Sequence, residues 1–360
     1  MPRSLRALLP LMLGILLVTG CTGPAPKPDD ARPGGGTPGG SYRAAAVTGD
    51  YANYPALRQF IDRMVKEQGY NREYLNGLFS EAKRKDWTLD YMKKDVPSAP
   101  SAKPSPGSWS RYRAKFLDEL HISKGAAYWD RYATALRQAS ERYGVPPEYI
   151  LGIMGVETIY GANVGKDRVL DALTTLAFDF PRRSEYFTGE LEGLLIMAKA
   201  EGLDPAKPRG SFAGAMGLGQ FMPTSFLKWA VDFNGDGRRD LWEPVDAIGS
   251  VANYFKEHGW KRGEPVVTRA TVTGSRADSM DAGFNTRYSL ATLAQAGVQP
   301  VDRVPEQQEY RLLRMSGNGG LEYWLGHQNF YVITRYNNST HYAMAVHQLA
   351  QAIKARHEGR

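Results

Sequence analysis

The stretch from Pro146 to Gly161 reads P-P-E-Y-I-L-G-I-M-G-V-E-T-I-Y-G and carries one side chain placed for chemistry. Pro146 and Pro147 suit a helix start, where a missing N–H costs nothing, and Gly161 suits its stop. Ile150, Ile153 and Met154 fall at i, i+3 and i+4 and make one apolar stripe, with Glu157 at i+7 of it. A carboxylate on the buried face of a short helix is costly unless it is paired or protonated. Held protonated at neutral pH, Glu157 is a general acid. Satisfied by an arginine or by backbone donors, it is only a buried glutamate.

Two further stretches carry chemistry. Ser211 to Ser225 reads S-F-A-G-A-M-G-L-G-Q-F-M-P-T-S. Its glycines allow close backbone approach, and Gln220 can bond a sugar hydroxyl or an amide in two directions. No Lys-Ser/Thr follows the glycines, so it is not a phosphate loop; a tight turn between helices is the plainer reading. Asp232 to Glu243 (D-F-N-G-D-G-R-R-D-L-W-E) follows the EF-hand calcium loop. Asp232, Asn234 and Asp236 stand at positions 1, 3 and 5, Gly237 at 6, Arg238 at 7, Asp240 at 9 and Glu243 at 12. The loop occurs once, which points to a structural clamp rather than a paired sensor.

The elements that position these residues are mostly helical. Leu57, Phe60, Ile61, Met64 and Val65 make a helical stripe stopped by Gly69, and Asn71 suits the cap of a helix with Leu75, Leu78 and Phe79. Pro97 to Gly107 reads as a long surface loop. A long helix is expected from about Lys124 to Tyr143, further helix at Asp171–Ala177, Glu190–Ala200 and Asp246–Trp260, and a last one through Tyr342, Val346, Leu349 and Ile353. Between Gly263 and Glu322, β-branched runs (Val266–Val272, Tyr310–Met315) alternate with Gly-rich turns around one small helix near Ser289–Ala296. Arg182 and Arg183 beside Tyr186 read either as a solvated face or as the lining of a groove for a polar polymer.

Length and composition agree with an exported protein. The chain has 360 residues, 42% hydrophobic, enough for a sizeable core in one to three domains. Arg3 and Arg6 precede an apolar run from Leu8 to Val18, too short to span a bilayer, and Val18-Thr19-Gly20-Cys21 closes it. The one cysteine, Cys21, excludes a disulfide framework and a thiolate metal site. Val-Thr-Gly-Cys resembles the bacterial lipoprotein signal, which implies that Cys21 is lipidated and, with Thr22 after it, that the anchor lies in the outer membrane. Residues 22–41, rich in Pro and Gly, read as a flexible tether, with folded structure starting near Tyr51. The net charge of +7 suits an anionic cell-wall polymer or membrane surface, and export excludes nucleic acid as a partner.

From Tyr51 to its end the chain resembles the B-type membrane-bound lytic murein transglycosylases. The resemblance rests on G-V-E-T-I-Y-G around Glu157, P-R-R-S-E-Y-F, G-S-F-A-G-A-M-G-L-G-Q-F-M-P, the calcium loop and N-F-Y-V-I-T-R-Y-N, in that order. It implies a mainly α (α+β) fold: a lysozyme-like helical core (residues 121–262 and 323–360), an accessory α-domain (51–120) and a small β-rich subdomain (263–322). It makes Glu157 the single acid/base, protonating the oxygen between N-acetylmuramic acid and N-acetylglucosamine and then drawing the proton of the muramoyl C6 hydroxyl to close a 1,6-anhydro ring. It implies that Ser211 and Gln220 contact sugar, that Met216 and Phe221 line it, and that Tyr254, Tyr336, Asn337 and Tyr342 are groove walls. Arg182, Arg183 and Tyr186 would meet glycan or peptide further along, and Tyr112 joins the set. Thr158-Ile159-Tyr160 departs from the family's helix end, with no expected loss of activity. The family's calcium loop is longer than a standard EF-hand, which favours Asp246 over Glu243 as last ligand. The resemblance also implies calcium as a structural ion, no organic cofactor, peptidoglycan strands and other cell-wall enzymes as partners, and residence at the periplasmic face of the Gram-negative outer membrane.

Three readings compete. A hydrolytic muramidase would need a second carboxylate, for which Asp167, Asp171 and Asp179 are candidates. A non-catalytic peptidoglycan-binding lipoprotein has no need to bury Glu157. A calcium-dependent scaffold fits poorly with a single loop.

Overall fold

The computed structural model describes residues 42–94 and 105–359. The signal segment, Cys21, the tether up to residue 41 and most of the Pro97–Gly107 loop lie outside the described residues. The fold is mainly α, as the sequence predicts, with fourteen α-helices and a small antiparallel sheet among the described residues. The described chain forms two units, 105–160 with 251–359 and 42–94 with 161–250.

In the first unit the Pro147–Thr158 helix packs on the Thr340–His357 helix, which also packs on Glu119–Arg131. Glycine sets the closeness of the first pair. A Cβ on Gly152 would stand 2.8 Å from the Val346 carbonyl oxygen, and one on Gly155 would stand 2.9 Å from the Leu349 side chain. The expected single apolar stripe is exceeded: the Pro147–Thr158 helix is buried almost all round, including Glu148, which meets Lys354 at 3.1 Å. The long helix expected to Tyr143 is two helices, Glu119–Arg131 and Ala133–Tyr143, broken at Tyr132. Asp118 caps the first by accepting from the His121 N–H at 2.9 Å.

The same unit carries a five-stranded antiparallel sheet. Glu309–Gly317 and Gly320–Gly326 form its hairpin, from Arg311 opposite Gly326 to Gly317 opposite Gly320. Val267–Val272 pairs with Gly320–Gly326, while Tyr288–Ser289 and Val298–Pro300 close the edges. Tyr310, Leu312 and Leu325 pack one face against Leu293, Val298 and Ala277. The β-branched runs and the small helix (Leu290–Gln295) stand where the sequence places them.

In the second unit Pro55–Gln68 ends at Gly69 in the left-handed conformation (φ 66°), and Asn71 caps Arg72–Ser80 by accepting from the Tyr74 N–H at 2.9 Å. Packing begins before Tyr51: the Tyr42 hydroxyl donates to Asp204 at 2.8 Å. Val169–Asp179 lies against Ser184–Ala200, which in turn holds Pro223–Trp229. Glu190 makes that last junction. It is buried, accepts from the Thr224 N–H at 2.9 Å and from the Thr224 hydroxyl at 2.7 Å, and is pushed up by burial against the pull of those bonds.

Candidate active site

Glu157 sits in the last turn of its helix, partly buried, and the Tyr342 hydroxyl donates to its Oε1 at 2.5 Å. Tyr342 is in the first turn of Thr340–His357, fixed by Ser339, whose hydroxyl accepts from the Tyr342 N–H at 3.2 Å. Burial pushes the Glu157 carboxyl up to about 7, against the hydrogen bond from Tyr342, which favours the charged form. At neutral pH this carboxyl is therefore divided between acid and carboxylate.

Two more phenols feel that group. Tyr336, at the end of Gln328–Tyr336, and Tyr112, in Ser108–Arg113, are both raised, first by burial and then by the negative charge of Glu157. The Tyr254 ring stands 4.7 Å from that of Tyr336, and its hydroxyl donates to the Arg335 carbonyl at 2.5 Å. The amide oxygen of Asn337 is buried with no hydrogen-bond partner among the described residues. One contributor was not evident in the sequence: His341, stacked between Trp109 (5.7 Å) and Tyr112 (5.5 Å) and pushed down by burial. Its signal was its place in the T-H-Y run beside Tyr342.

The helix ends at Thr158, three residues before Gly161. Ile159 (φ 51°) and Tyr160 (φ 58°) both adopt the left-handed conformation, the first a β-branched residue that rarely does so. The turn is held by the Ile159 N–H bonding the Gly155 carbonyl, the Tyr160 N–H bonding that of Met154, and the Tyr160 hydroxyl bonding that of His121 at 3.0 Å. Strain of this kind, about 1–3 kcal/mol per residue, collects where a side chain must be aimed. Here it begins two residues after Glu157.

In the second unit the Ser211–Ser225 stretch is a compact turn, with Met216 bridged to Gly210 and Phe221. The Ser211 hydroxyl accepts from the Ala215 N–H at 3.0 Å. Gln220, also left-handed (φ 51°), spends its amide N–H groups on the carbonyls of Gly217 (2.9 Å) and Val164 (3.2 Å). Those two bonds leave the amide oxygen as its remaining hydrogen-bonding group. Met216 is fully buried and Phe221 is 2% exposed, so both pack the turn rather than present a wall to sugar. Arg183 lies over the Tyr186 ring at 4.3 Å, a cation–π pair that fixes both, while Arg182 is exposed.

The Asp232–Asp246 loop is already folded on its own oxygens. Asp232 accepts from the N–H groups of Gly235 (2.7 Å), Asp236 (3.1 Å) and Gly237 (2.8 Å), with Gly235 and Gly237 left-handed. Asp246 is fully buried and draws the loop's ends together, accepting from Phe233 (2.7 Å), Asn234 (3.1 Å) and Asp240 (2.9 Å). Glu243 instead caps the following helix through the Asp246 N–H at 2.9 Å. Burial pushes the Asp246 carboxyl up despite its backbone bonds, and no Lys or Arg pairs with it among the described residues. Among the described residues no three His, Cys, Asp or Glu side chains converge as a metal cluster. The donor set is one of oxygens at alternate positions around a buried carboxylate, which fits a hard divalent cation.

The carboxylates available to a hydrolytic reading are committed elsewhere. Asp171 takes Arg168 at 2.7 Å, Asp167 takes Lys85 at 2.8 Å, and Asp179 takes Arg84 at 3.1 Å and the Tyr54 hydroxyl at 3.0 Å.

A helical fold with a desolvated glutamate hydrogen-bonded to one phenol and close to two more points to a lysozyme-like glycan-cleaving class. Residues 52–351 match the transglycosylase SLT domain family, and the chain belongs to it. It is 48% identical over 354 residues to membrane-bound lytic murein transglycosylase B of Escherichia coli K12, covering 96% of each chain. It is also similar to the solved E. coli lytic transglycosylase Slt35 in complex with calcium, at 50% identity and TM-score 0.82, over 87% of this chain and 97% of that one. A third relative, SltB3 of Pseudomonas aeruginosa in complex with NAG-anhNAM-pentapeptide, is 30% identical over 83% of this chain and 78% of its own, at TM-score 0.72.

Proposed function

We propose that the chain is a lytic murein transglycosylase in which Glu157 is the sole acid/base. The observation that carries this is a carboxyl held near neutrality by burial, with Tyr342 on one oxygen. Protonated, Glu157 gives its proton to the glycosidic oxygen between N-acetylmuramic acid and N-acetylglucosamine. Ionised, it takes the proton of the muramoyl C6 hydroxyl, whose oxygen bonds C1 and closes the 1,6-anhydro ring, so water is not consumed. Because the nucleophile is internal, one carboxyl suffices where ordinary glycosidases use two. The Tyr342 bond leaves Oε2 to exchange the proton and supports the carboxylate whenever Glu157 has given it away. The bound anhydro sugar of the SltB3 structure supports this product class.

By their motifs we assign sugar contacts to Ser211, Gln220, Tyr254, Tyr336, Asn337 and Tyr112, and contacts further along the strand to Arg182, Arg183 and Tyr186. Calcium would be held by Asp232, Asn234, Asp236, the Arg238 carbonyl, Asp240 and Asp246, neutralising a buried carboxylate and pinning the loop. No helix among the described residues is long and apolar enough to cross a membrane; attachment would come from a lipid on Cys21, at the periplasmic face of the outer membrane. Other cell-wall enzymes are candidate partners. Turnover of purified murein sacculi by Glu157→Gln tests the assignment: loss of soluble products is expected, and retained turnover would contradict it.

A further inference from the structure

The second unit holds a cavity of about 300 Å³, at the small end of ligand-sized pockets, at the first packed residues of the described chain. Its walls are apolar and aromatic, from Tyr70, Tyr74, Leu195 and Leu203, and two cations, Arg43 and Lys199, stand among its lining residues. Neither cation meets a carboxylate among the described residues. Lys199 lies over the Tyr70 ring at 4.9 Å and reaches only the Gln68 carbonyl at 3.4 Å. Of the neighbouring acids, Glu192 is paired with Arg63 at 3.3 Å, while Asp204 accepts from the neutral Tyr42 hydroxyl and keeps one negative charge against the two cations. The Tyr70 hydroxyl is buried and has no hydrogen-bond partner among the described residues. An unpaired buried hydroxyl costs roughly 1–3 kcal/mol, so a partner that completes it is favoured.

Apolar walls, two cations against one acid and one unmet phenol donor describe a receptor for an anion carried on a small apolar chain end. They do not describe a polymer groove, for which the cavity is too small. We propose that this cavity binds the C-terminal carboxylate of a peptidoglycan stem peptide, with Lys199 and Arg43 taking the charge and Tyr70 donating to an oxygen. The terminal alanyl methyls lie against Leu195 and Leu203. The proposal rests on the lytic transglycosylase reading, because it is that substrate which carries peptides ending in carboxylates. It gives the enzyme a hold on the wall that does not use the glycan.

The test is a calorimetric titration of the full chain with sugar-free stem pentapeptide and with its C-terminal amide. Saturable binding of the acid is expected, weakened about tenfold or more by Lys199→Gln and by amidation, as for loss of a charge-assisted hydrogen bond. Tyr70→Phe should weaken binding several-fold while folding normally, since it deletes only an unpartnered hydroxyl. Equal binding by wild type and both variants would overturn the site. So would an absence of peptide binding together with binding of phosphatidylglycerol vesicles that Lys199→Gln abolishes. The titration needs no turnover. Anhydro products without peptide binding would therefore remove this site and leave the activity standing, and peptide binding without anhydro products would do the reverse.

Discussion

Tyr342 donates to Glu157 across 185 residues of sequence, at 2.5 Å, from a helix that glycine allows to lie against the glutamate's own. The bond acts against burial: desolvation favours the protonated acid, and the phenol favours the anion. A carboxyl near pKa 7 is the compromise, and it suits a group that must give and then take a proton.

The rate should therefore fall as pH rises through about 7, because the first step needs protonated Glu157. Tyr342→Phe removes the bond that favours the charged form, so the alkaline limb moves to higher pH while the rate drops. Rate–pH profiles of both proteins on purified sacculi check this. A limb near the free glutamate value, or one that Tyr342→Phe moves downward, would refute it.

Glu157 should cost stability where it is charged. Its folded pKa, about 7, lies above the free value of 4.5, so the folded state binds the extra proton between them. Stability is lost as pH rises through that window, on the order of 3 kcal/mol in all above it. Glu157→Gln, while lowering activity by about 10²–10⁴-fold, should melt higher than wild type at pH 8 and equally at pH 4. Equal melting at both would show that burial does not strain the carboxylate.

Gly152→Ala should disturb the site without touching it. The new methyl would meet the Val346 carbonyl at 2.8 Å, a backbone atom that cannot swing aside, and force apart the helices bearing Glu157 and Tyr342. Overpacking of this kind costs about 1–3 kcal/mol. Thermal unfolding and turnover should both fall; an unchanged melting temperature would contradict the close-packed junction.

Calcium should stabilise the fold, by about 2.7 kcal/mol at a hundredfold excess over its dissociation constant. Asp246→Asn should abolish the chelator-induced drop in melting temperature, since Asp246 joins both ends of the loop, while Glu243→Gln should leave it. The opposite result would make Glu243 the ligand and Asp246 only a loop brace.

What the sequence disclosed was local. Gly69, Asn71 and Pro147 mark helix ends because the signals lie within a few residues of the ends they make, and the β-branched runs mark strands for the same reason. The break at Tyr132 and the left-handed Ile159 and Tyr160 carry no such signal, because packing imposes them against propensity. Glu157 was legible as a carboxyl on an apolar helix, whereas Tyr342, Tyr336 and Tyr112 entered only through the family resemblance. Pairing across the chain leaves no mark in local spacing. Met216 and Phe221 show the converse: a motif names them, and only packing reveals that they face inward.

Mass spectrometry of the soluble products from purified sacculi tests the central claim most directly. Muropeptides ending in 1,6-anhydromuramic acid, each lighter than its reducing counterpart by one water, are the expected result, and they should vanish with Glu157→Gln. Reducing ends would show that water, not the C6 hydroxyl, is the nucleophile, and the single-carboxyl account of Glu157 would fail.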